Sequence, residues 1–153
     1  MEALVSSMNN INHINWFYDE SSAKIVNKPW GKEVWINYRS GEKIGDEMKL
    51  YVMKKLFIHN GTKTSLQMHK VKTETNFLLS GRLEAWYEAI PGVLEKRILS
   101  AGAIWTIAPG IKHRIVTLED VILLEASTPE VDDVLRFADD TMRGDGRVER
   151  EHT

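Results

Sequence analysis

The stretch from Gly61 to Gly81, GTKTSLQMHKVKTETNFLLSG, constrains the fold of this chain more than any other. Gln67 and His69 stand two residues apart, so on an extended strand both side chains leave the same face. Glu74 follows His69 by five residues, an odd spacing that one unbroken strand cannot bring to that face. The polar residues 70–73 therefore predict a turn, and Glu74 then opens the next strand.

A second segment supplies a fourth polar group. Pro109-Gly110 predicts a turn into a strand over residues 114–116, and His113 stands at that junction. Two imidazoles, a carboxylate and an amide oxygen suit a divalent ion such as zinc, manganese, iron, cobalt or nickel. Each residue alone has an ordinary structural explanation. Together they predict one metal site made of Gln67, His69, Glu74 and His113.

The order of these residues resembles the motifs of the cupins. In their first motif a glycine, a His-x-His pair, a glutamate and a second glycine follow at fixed spacing, and Gly61 and Gly81 are in register with that pattern here. Gln67 replaces the first histidine. The second motif, Pro-x-Gly-x-x-His, is met by Gly110 and His113, with Ala108 where its proline usually stands. The resemblance implies an all-β jelly-roll barrel, the cupin double-stranded β-helix, around one divalent ion, with zinc favoured.

The glutamine narrows the resemblance to the mannose-6-phosphate isomerases, including the cupin domain of the type II enzymes. Four segments between about residues 26 and 143 resemble that family: Lys28-Pro29-Trp30-Gly31, Ser65-Leu66-Gln67-Met68-His69, His113-Arg114 and Asp132-Asp133-Val134-Leu135-Arg136-Phe137. The resemblance implies aldose to ketose interconversion of a sugar phosphate through an enediolate, whose oxygens need a Lewis acid. Three departures affect the sugar pocket: Thr75-Asn76, Thr141-Met142-Arg143, and Lys63 in place of an arginine.

Cations and a proton-transferring base complete the candidate site. Lys63, Lys72, Arg114 and Arg136 are the candidates for phosphate binding, and the resemblance favours Arg136 and Lys63. Glu125 has the parity of Leu123 and Val121 in an apolar strand, so it can point inward as the base. A solvated strand end explains Glu125 equally well.

Composition excludes several other functions. The 153-residue chain has no cysteine, which excludes disulfides, thiol catalysis and thiolate metal sites. Its net charge of -2, with acids and bases mixed throughout, predicts no nucleic-acid partner. No apolar stretch approaches the length of a membrane span and no signal sequence opens the chain, so we expect a cytoplasmic protein without a membrane partner.

The chain divides into three parts by its composition. Residues 1–24 are rich in Asn and Ser and contain aromatic residues, which predicts an N-terminal docking segment. Residues 25–143 form the cupin domain, with a short C-terminal helix over Pro129–Asp140 indicated by helical spacing and a Thr128-Pro129 start. Residues 144–153 are charged and predicted to fray. Jelly-roll cupins commonly pair through an outer strand or sheet face, so the resemblance implies a homodimer, with three tryptophans in the N-terminal part where the pairing is expected: Trp16, Trp30 and Trp35.

Two other functions stay open. The chain can be another metal-dependent small cupin enzyme, a lyase or dioxygenase, although those mostly carry two histidines in the first motif. It can also be a sugar-binding cupin without turnover, because no base is certain and the pocket positions are altered.

Overall fold

A computed structural model describes residues 17–43 and 49–152. In these two ranges the chain forms eleven strands and two short 3₁₀ helices. The strands are β1 (Ala23–Lys28), β2 (Gly31–Arg39), β3 (Val52–Ile58), β4 (Leu66–Met68), β5 (Glu74–Ser80), β6 (Arg82–Ile90), β7 (Val93–Ser100), β8 (Ile104–Ile107), β9 (His113–Thr117), β10 (Val121–Ser127) and β11 (Leu135–Ala138).

The strands form two antiparallel sheets that face each other. Sheet A has the order β1-β2-β3-β10-β5-β8, and sheet B has the order β11-β4-β9-β6-β7. After β3 the chain alternates between the sheets except at the β6–β7 hairpin of sheet B, so neighbouring strands in a sheet are mostly distant in sequence. The prediction of an all-β jelly-roll fold is confirmed.

Alternation along the strands decides which side chains point inward. On β10, Val121, Leu123 and Glu125 are buried at every second position. On β3, the buried positions include Lys54 and Leu56. Because the alternation brings charged residues inward together with apolar ones, the space between the sheets has both an apolar core and a charged region.

Gly81 is required by a close approach of two chain segments. It has φ +86°, and a Cβ built on it would lie 2.1 Å from the backbone oxygen of Asp120. No larger residue fits without moving the backbone. This glycine of the first motif therefore fixes the tight turn from β5 to β6.

The helix predicted over Pro129–Asp140 is wrong. The segment turns after Pro129 and then forms β11, which pairs with β4 through Leu135 opposite Met68. Thr128 does not cap a helix, because its hydroxyl accepts from the Thr73 backbone N–H at 3.2 Å. Pairing with a strand distant in sequence outweighs a weak helical spacing.

The structure bears on the expectations for the two ends of the chain at Trp30, Trp35 and Glu151. Residues 1–16, which hold most of the predicted docking segment and Trp16, lie outside the described residues. Trp30 and Trp35 are buried inside the barrel, so they offer no surface to a second copy. Near the C-terminus, where fraying was expected, Glu149–Glu151 forms a 3₁₀ helix and Glu151 is buried.

Among the described residues, the structure contains no helix with the length and apolar character to cross a membrane.

Candidate metal centre

Three of the four predicted ligands meet between the sheets. His69 follows β4, Glu74 opens β5 and His113 opens β9, so each stands at a strand end. One Glu74 oxygen, Oε2, lies 3.6 Å from His69 Nε2, and the other, Oε1, lies 3.6 Å from His113 Nε2. All three side chains are buried, and their candidate ligand atoms lie within 4.8 Å of one another. His69, Glu74 and His113 can therefore hold one metal ion.

The hydrogen bonds of the two imidazoles fix their tautomers. His69 Nδ1 contacts the backbone oxygen of Asp133, and His113 Nδ1 lies 2.9 Å from the backbone oxygen of Ile111. A carbonyl oxygen only accepts, so both Nδ1 atoms carry a proton, and in a neutral ring with this tautomer Nε2 carries the lone pair. Both Nε2 atoms are buried without a hydrogen-bond partner. Two orphaned lone pairs aimed at one carboxylate are the arrangement that a metal ion would satisfy.

The protonation states also suit a metal. Burial lowers the pKa of the His113 imidazole, although Glu74 opposes the shift, so the ring stays neutral near pH 7. Burial alone would raise the pKa of the Glu74 carboxyl, but the Lys72 ammonium holds it well below its ordinary value. The cluster therefore presents a neutral His113 imidazole and the Glu74 carboxylate at neutral pH.

Gln67 lies next to this cluster without joining it. It pairs with His113 across β4 and β9, and its side chain lines the same cavity. Its Oε1 accepts a hydrogen bond from Ser65 Oγ at 2.7 Å. Gln67 as the fourth ligand stays a prediction, because its amide oxygen is bound to Ser65 in this structure.

A small cavity on one side of the cluster is dominated by charged residues, and we name it the charged chamber. Its volume is about 100 Å³. Glu125 accepts a hydrogen bond from Lys72 Nζ at 3.0 Å, and the same ammonium lies 2.5 Å from Glu74 Oε2. Burial would lower the pKa of Lys72, but Glu125 and Glu74 raise it above its ordinary value. The charged side chains that line the chamber are Lys28, Glu33, Lys54, Lys72, Glu74, Glu125, Asp132, Arg136, Arg143 and Arg147.

A larger cavity on the other side of the cluster has a different lining, and we name it the apolar chamber. Its volume is about 440 Å³ and it lies between β8 of sheet A and β7 of sheet B. Arg97 is its exposed cation, with Nε donating to Tyr87 Oη at 3.1 Å. Glu74 and His113 line both chambers. The apolar and aromatic residues of its wall include Ala85, Tyr87, Leu99, Trp105, Ile107, Ile111 and Ile115.

Comparison with known proteins identifies the architecture. No family model and no curated protein matches the sequence. Among solved structures, an RmlC-like cupin from Shewanella frigidimarina NCIMB 400 is 14% identical with a TM-score of 0.58, over 76% of this chain and 92% of that one. KdgF from Halomonas sp. is 19% identical with a TM-score of 0.56, over 76% of this chain and 97% of that one. A deletion mutant of the Bacillus subtilis oxalate decarboxylase OxdC is 14% identical with a TM-score of 0.64, over 78% of this chain and 31% of that one.

The chain has the cupin fold. Identities at this level establish the architecture, but they do not assign the activities of these proteins to this chain. Within the cupin fold, His69, Glu74 and His113 lie where two strands of sheet B meet the first residue of β5 in sheet A.

The predicted catalytic residues are only partly brought together. Glu125 points inward and lines the charged chamber, as its parity on β10 indicates. Arg136 also lines the chamber, but its Nη1 donates to the backbone oxygens of Gly144 and Gly146. The roles of Glu125 and Arg136 in a reaction stay predictions.

The other candidate cations differ in position. Lys63 is absent from the lining of both chambers and its Nζ lies 2.6 Å from Asp140 Oδ2 at the surface. Arg114 donates to the backbone oxygen of Thr64 through Nε and Nη2. Lys72 is the candidate that lies deepest, between two carboxylates. A role for Lys63 in phosphate binding would need a different position of its side chain.

Two residues of the charged chamber escaped the sequence reasoning. Glu33 and Lys54 form a buried pair at 3.2 Å, and Lys54 Nζ also lies 3.7 Å from Glu125. The sequence does contain an indication of both residues. Glu33 stands two residues before Trp35, and Lys54 stands two residues before Leu56, so each charged side chain shares a strand face with a large apolar one. A charged residue at an inward position between large apolar ones indicates a polar interior.

Proposed function

We propose that this cupin is a divalent-metal enzyme that interconverts the aldose and ketose forms of a small sugar phosphate. One observation carries the proposal: the buried His69, Glu74 and His113 cluster and the buried Glu125 carboxylate face the same chamber. A metal site beside an inward-pointing carboxylate provides both components that proton transfer next to a carbonyl group requires.

The residues of the cluster would bind the ion. Two imidazole nitrogens and one carboxylate oxygen form a donor set that suits zinc, and Gln67 is the proposed fourth ligand once its amide turns from Ser65. Manganese, iron, cobalt and nickel also accept such donors. A bound divalent ion supplies a Lewis acid that stabilises negative charge developing on the substrate oxygens.

Glu125 is the proposed base. Its carboxylate would take the proton from the hydroxyl-bearing carbon next to the carbonyl group and return it to the carbonyl carbon, while the hydroxyl proton moves to the carbonyl oxygen. Lys72 holds Glu125 by a hydrogen bond of 3.0 Å and so fixes the direction of the carboxylate. Arg136 is the proposed phosphate contact in the chamber wall, and Lys63 remains a candidate only if its side chain leaves Asp140.

The test is an assay of the metal-reconstituted protein. Zinc, manganese and cobalt forms would be offered mannose 6-phosphate and a panel of other sugar phosphates, with aldose to ketose conversion as the readout. Glu125→Gln should reduce kcat by about 100-fold or more with an unchanged metal content, because it removes the base and keeps the ligands. Full metal occupancy with binding but no conversion of any panel member would indicate a sugar-binding cupin.

A second candidate is favoured by the apolar chamber. At about 440 Å³ it is the roomier approach to Glu74 and His113, and its wall is mainly apolar. Such a site suits another metal-dependent reaction, of the lyase or dioxygenase class, on a less polar substrate. Turnover of small carboxylic acids by a protein that leaves all sugar phosphates unchanged would favour this candidate.

We also propose a homodimer. With Trp30 and Trp35 buried, the exposed outer residues at the β8 edge of sheet A are the better contact surface. Phe77 pairs with Ile104 there, and Ile104 is 69% exposed. Light scattering should give twice 17.5 kDa at micromolar concentration, and Ile104→Lys should lower that mass.

A further inference from the structure

Residues 144–152, which we name the C-terminal segment, form part of the wall of the charged chamber. Gly146 N donates to Val134 O at 2.8 Å, and the His152 ring contacts the Trp35 ring edge-on at a centroid distance of 6.0 Å. Several positions of the segment are exposed, including 144, 145, 149 and 150. The C-terminal segment is therefore held mainly by polar contacts, which can open locally more easily than a packed core strand.

One side chain of the C-terminal segment is a buried anion. Glu151 Oε2 lies 2.7 Å from Lys28 Nζ, and Oε1 lies 3.4 Å from Arg143 Nη1. The Glu151 side chain is only 6% exposed. Lys28 comes from the end of β1 and Arg143 from the segment after β11, so two distant cations converge on this one carboxylate. Charge-assisted contacts of this kind bind phosphate as well as carboxylate.

The chamber itself has an excess of positive charge. Its lining contains six lysine or arginine side chains and four acidic ones, while Glu151 and Asp139, which lies 2.7 Å from Arg143 Nη2, stand behind the lining. A cavity with this balance attracts anions. Its volume of about 100 Å³ is far below the roughly 300–1,000 Å³ of ordinary small-molecule sites. A sugar phosphate therefore needs more space than the chamber offers while the C-terminal segment is in place.

Displacing the C-terminal segment would also release Arg136. Its Nη1 donates to the carbonyl oxygens of Gly144 and Gly146, and its Nε is buried without a hydrogen bond, 3.9 Å from Asp139 Oδ2. Both carbonyl groups belong to the segment. Removal of the segment would therefore release the Arg136 donors at the same time as it frees Lys28 Nζ and Arg143 Nη1 from Glu151, while Arg143 Nε and Nη2 stay bound to Asp139.

We propose that Lys28 and Arg143 form a binding site for the phosphate group of the substrate, and that Glu151 occupies this site in the free protein. Binding of the phosphate displaces Glu151 together with the C-terminal segment, which enlarges the chamber and adds Arg136 to the site. The identity of the ligand as a phosphorylated substrate rests on the function proposed above, whereas the exchange of Glu151 for an external anion does not.

The first test compares Glu151→Gln with Glu149→Gln. Glu149 is a matched control because its side chain is 79% exposed on the same short helix. Titration calorimetry with inorganic phosphate should show about tenfold or more tighter binding for Glu151→Gln than for wild type, because the competing carboxylate is gone. Glu149→Gln should bind like wild type, and Arg143→Gln should bind about tenfold or more weakly. Equal phosphate affinities of the Glu151 and Glu149 variants, both with native near-UV circular dichroism, would overturn the proposal.

A second test uses the wild-type protein and therefore does not depend on how a variant folds. Trypsin cleaves after arginine, and Arg147 and Arg150 lie in the C-terminal segment. Saturating inorganic phosphate should increase the rate of cleavage at these two sites, with chloride at the same ionic strength as the control. A rate that stays constant or falls would contradict displacement of the segment.

The outcomes separate this inference from the proposed function. Tighter phosphate binding by Glu151→Gln in a protein that converts no sugar phosphate would support the anion site and reject the isomerase. Conversion of a sugar phosphate by a protein in which phosphate neither binds more tightly to Glu151→Gln nor promotes cleavage would support the isomerase and reject the displaced carboxylate.

Discussion

The two chambers share part of their walls but differ in the charge of their linings and in their volumes. Glu74, Asn76, His113 and Ile115 line both. On the charged side, inward positions of β2, β3 and β10 carry Glu33, Lys54 and Glu125, and the space is small. On the other side, inward positions of β6, β7 and β8 are mainly apolar, and the space is more than four times larger.

This difference shows that the less stabilising part of the interior lies on the side of the charged chamber. Buried ion pairs contribute little net stability, and replacing them by well-packed apolar residues is often neutral or even stabilising. The pairs that join Glu33, Lys54, Glu125, Lys72 and Glu74 therefore are poorly explained by stability alone. Their concentration on one side of the candidate metal cluster favours the charged chamber as the site of the proposed reaction.

The largest expected effect concerns the cluster between the chambers. His69→Ala removes one of the two candidate imidazole ligands and should weaken metal binding by more than about 100-fold, since loss of a supporting contact alone costs about 10–100-fold. Metal content by atomic emission and turnover should fall together. His59→Ala is the control, because that exposed histidine lies outside the cluster. Full metal content in the His69 variant would contradict the site.

The next effect separates the chambers by stability. Lys54→Met leaves Glu33 without its nearest cation and should cost about 3–5 kcal/mol of unfolding free energy in urea. Adding Glu33→Gln should restore much of this, because the amide still accepts from Trp35 Nε1. Arg97→Met, the same kind of change on the exposed wall of the apolar chamber, should stay within about 0.5 kcal/mol. Equal losses of unfolding free energy in Lys54→Met and Arg97→Met would contradict this difference between the two chambers.

The charged chamber should also make the protein sensitive to acid. Burial would raise the pKa of the Glu33 carboxyl, but Lys54 and Lys28 lower it to about 2. Between that value and the ordinary value of 4.5 the unfolded chain binds more protons than the native one, so stability falls as the pH falls through this window. The loss is about 3 kcal/mol for Glu33 alone.

The measurement is a comparison of denaturation curves at pH 7 and near pH 2.5. The unfolding free energy of the wild type minus that of Glu33→Gln isolates the contribution of Glu33 from those of the other carboxyl groups. A difference that does not change with pH would show that Glu33 has an ordinary pKa in the folded protein.

The sequence predicts how His69 and Glu74 come together because local rules determine it, whereas His113 joins them through the pairing of β9 with β4. Residues two apart share a strand face, and the turn at residues 70–73 brings Glu74 back toward His69. Glu125 follows from the same alternation on β10. These inferences need only the neighbours in sequence, so they hold without knowledge of the sheet order.

Other features depend on partners far along the chain. β11 forms because Leu135 pairs with Met68 on β4, and no sequence pattern within residues 129–140 predicts that pairing. Glu151 is buried because Lys28, 123 residues earlier, lies beside it. A charged tail looks solvated when its partner is unknown, which explains why fraying was expected there.

The smallest expected effect tests which chamber receives the substrate. Tyr87→Phe removes the hydroxyl that accepts from Arg97 and donates to Glu95 at 3.1 Å, in the wall of the apolar chamber. Because these groups are exposed, the loss should be below about 1 kcal/mol, and KM for a sugar phosphate should stay within about twofold. Arg143→Lys keeps the charge in the charged chamber but loses the planar fork, and should raise KM by about tenfold. The reverse order, with Tyr87→Phe raising KM more than Arg143→Lys, would place the substrate in the apolar chamber, and the charged chamber would then have to be explained by a role other than substrate binding.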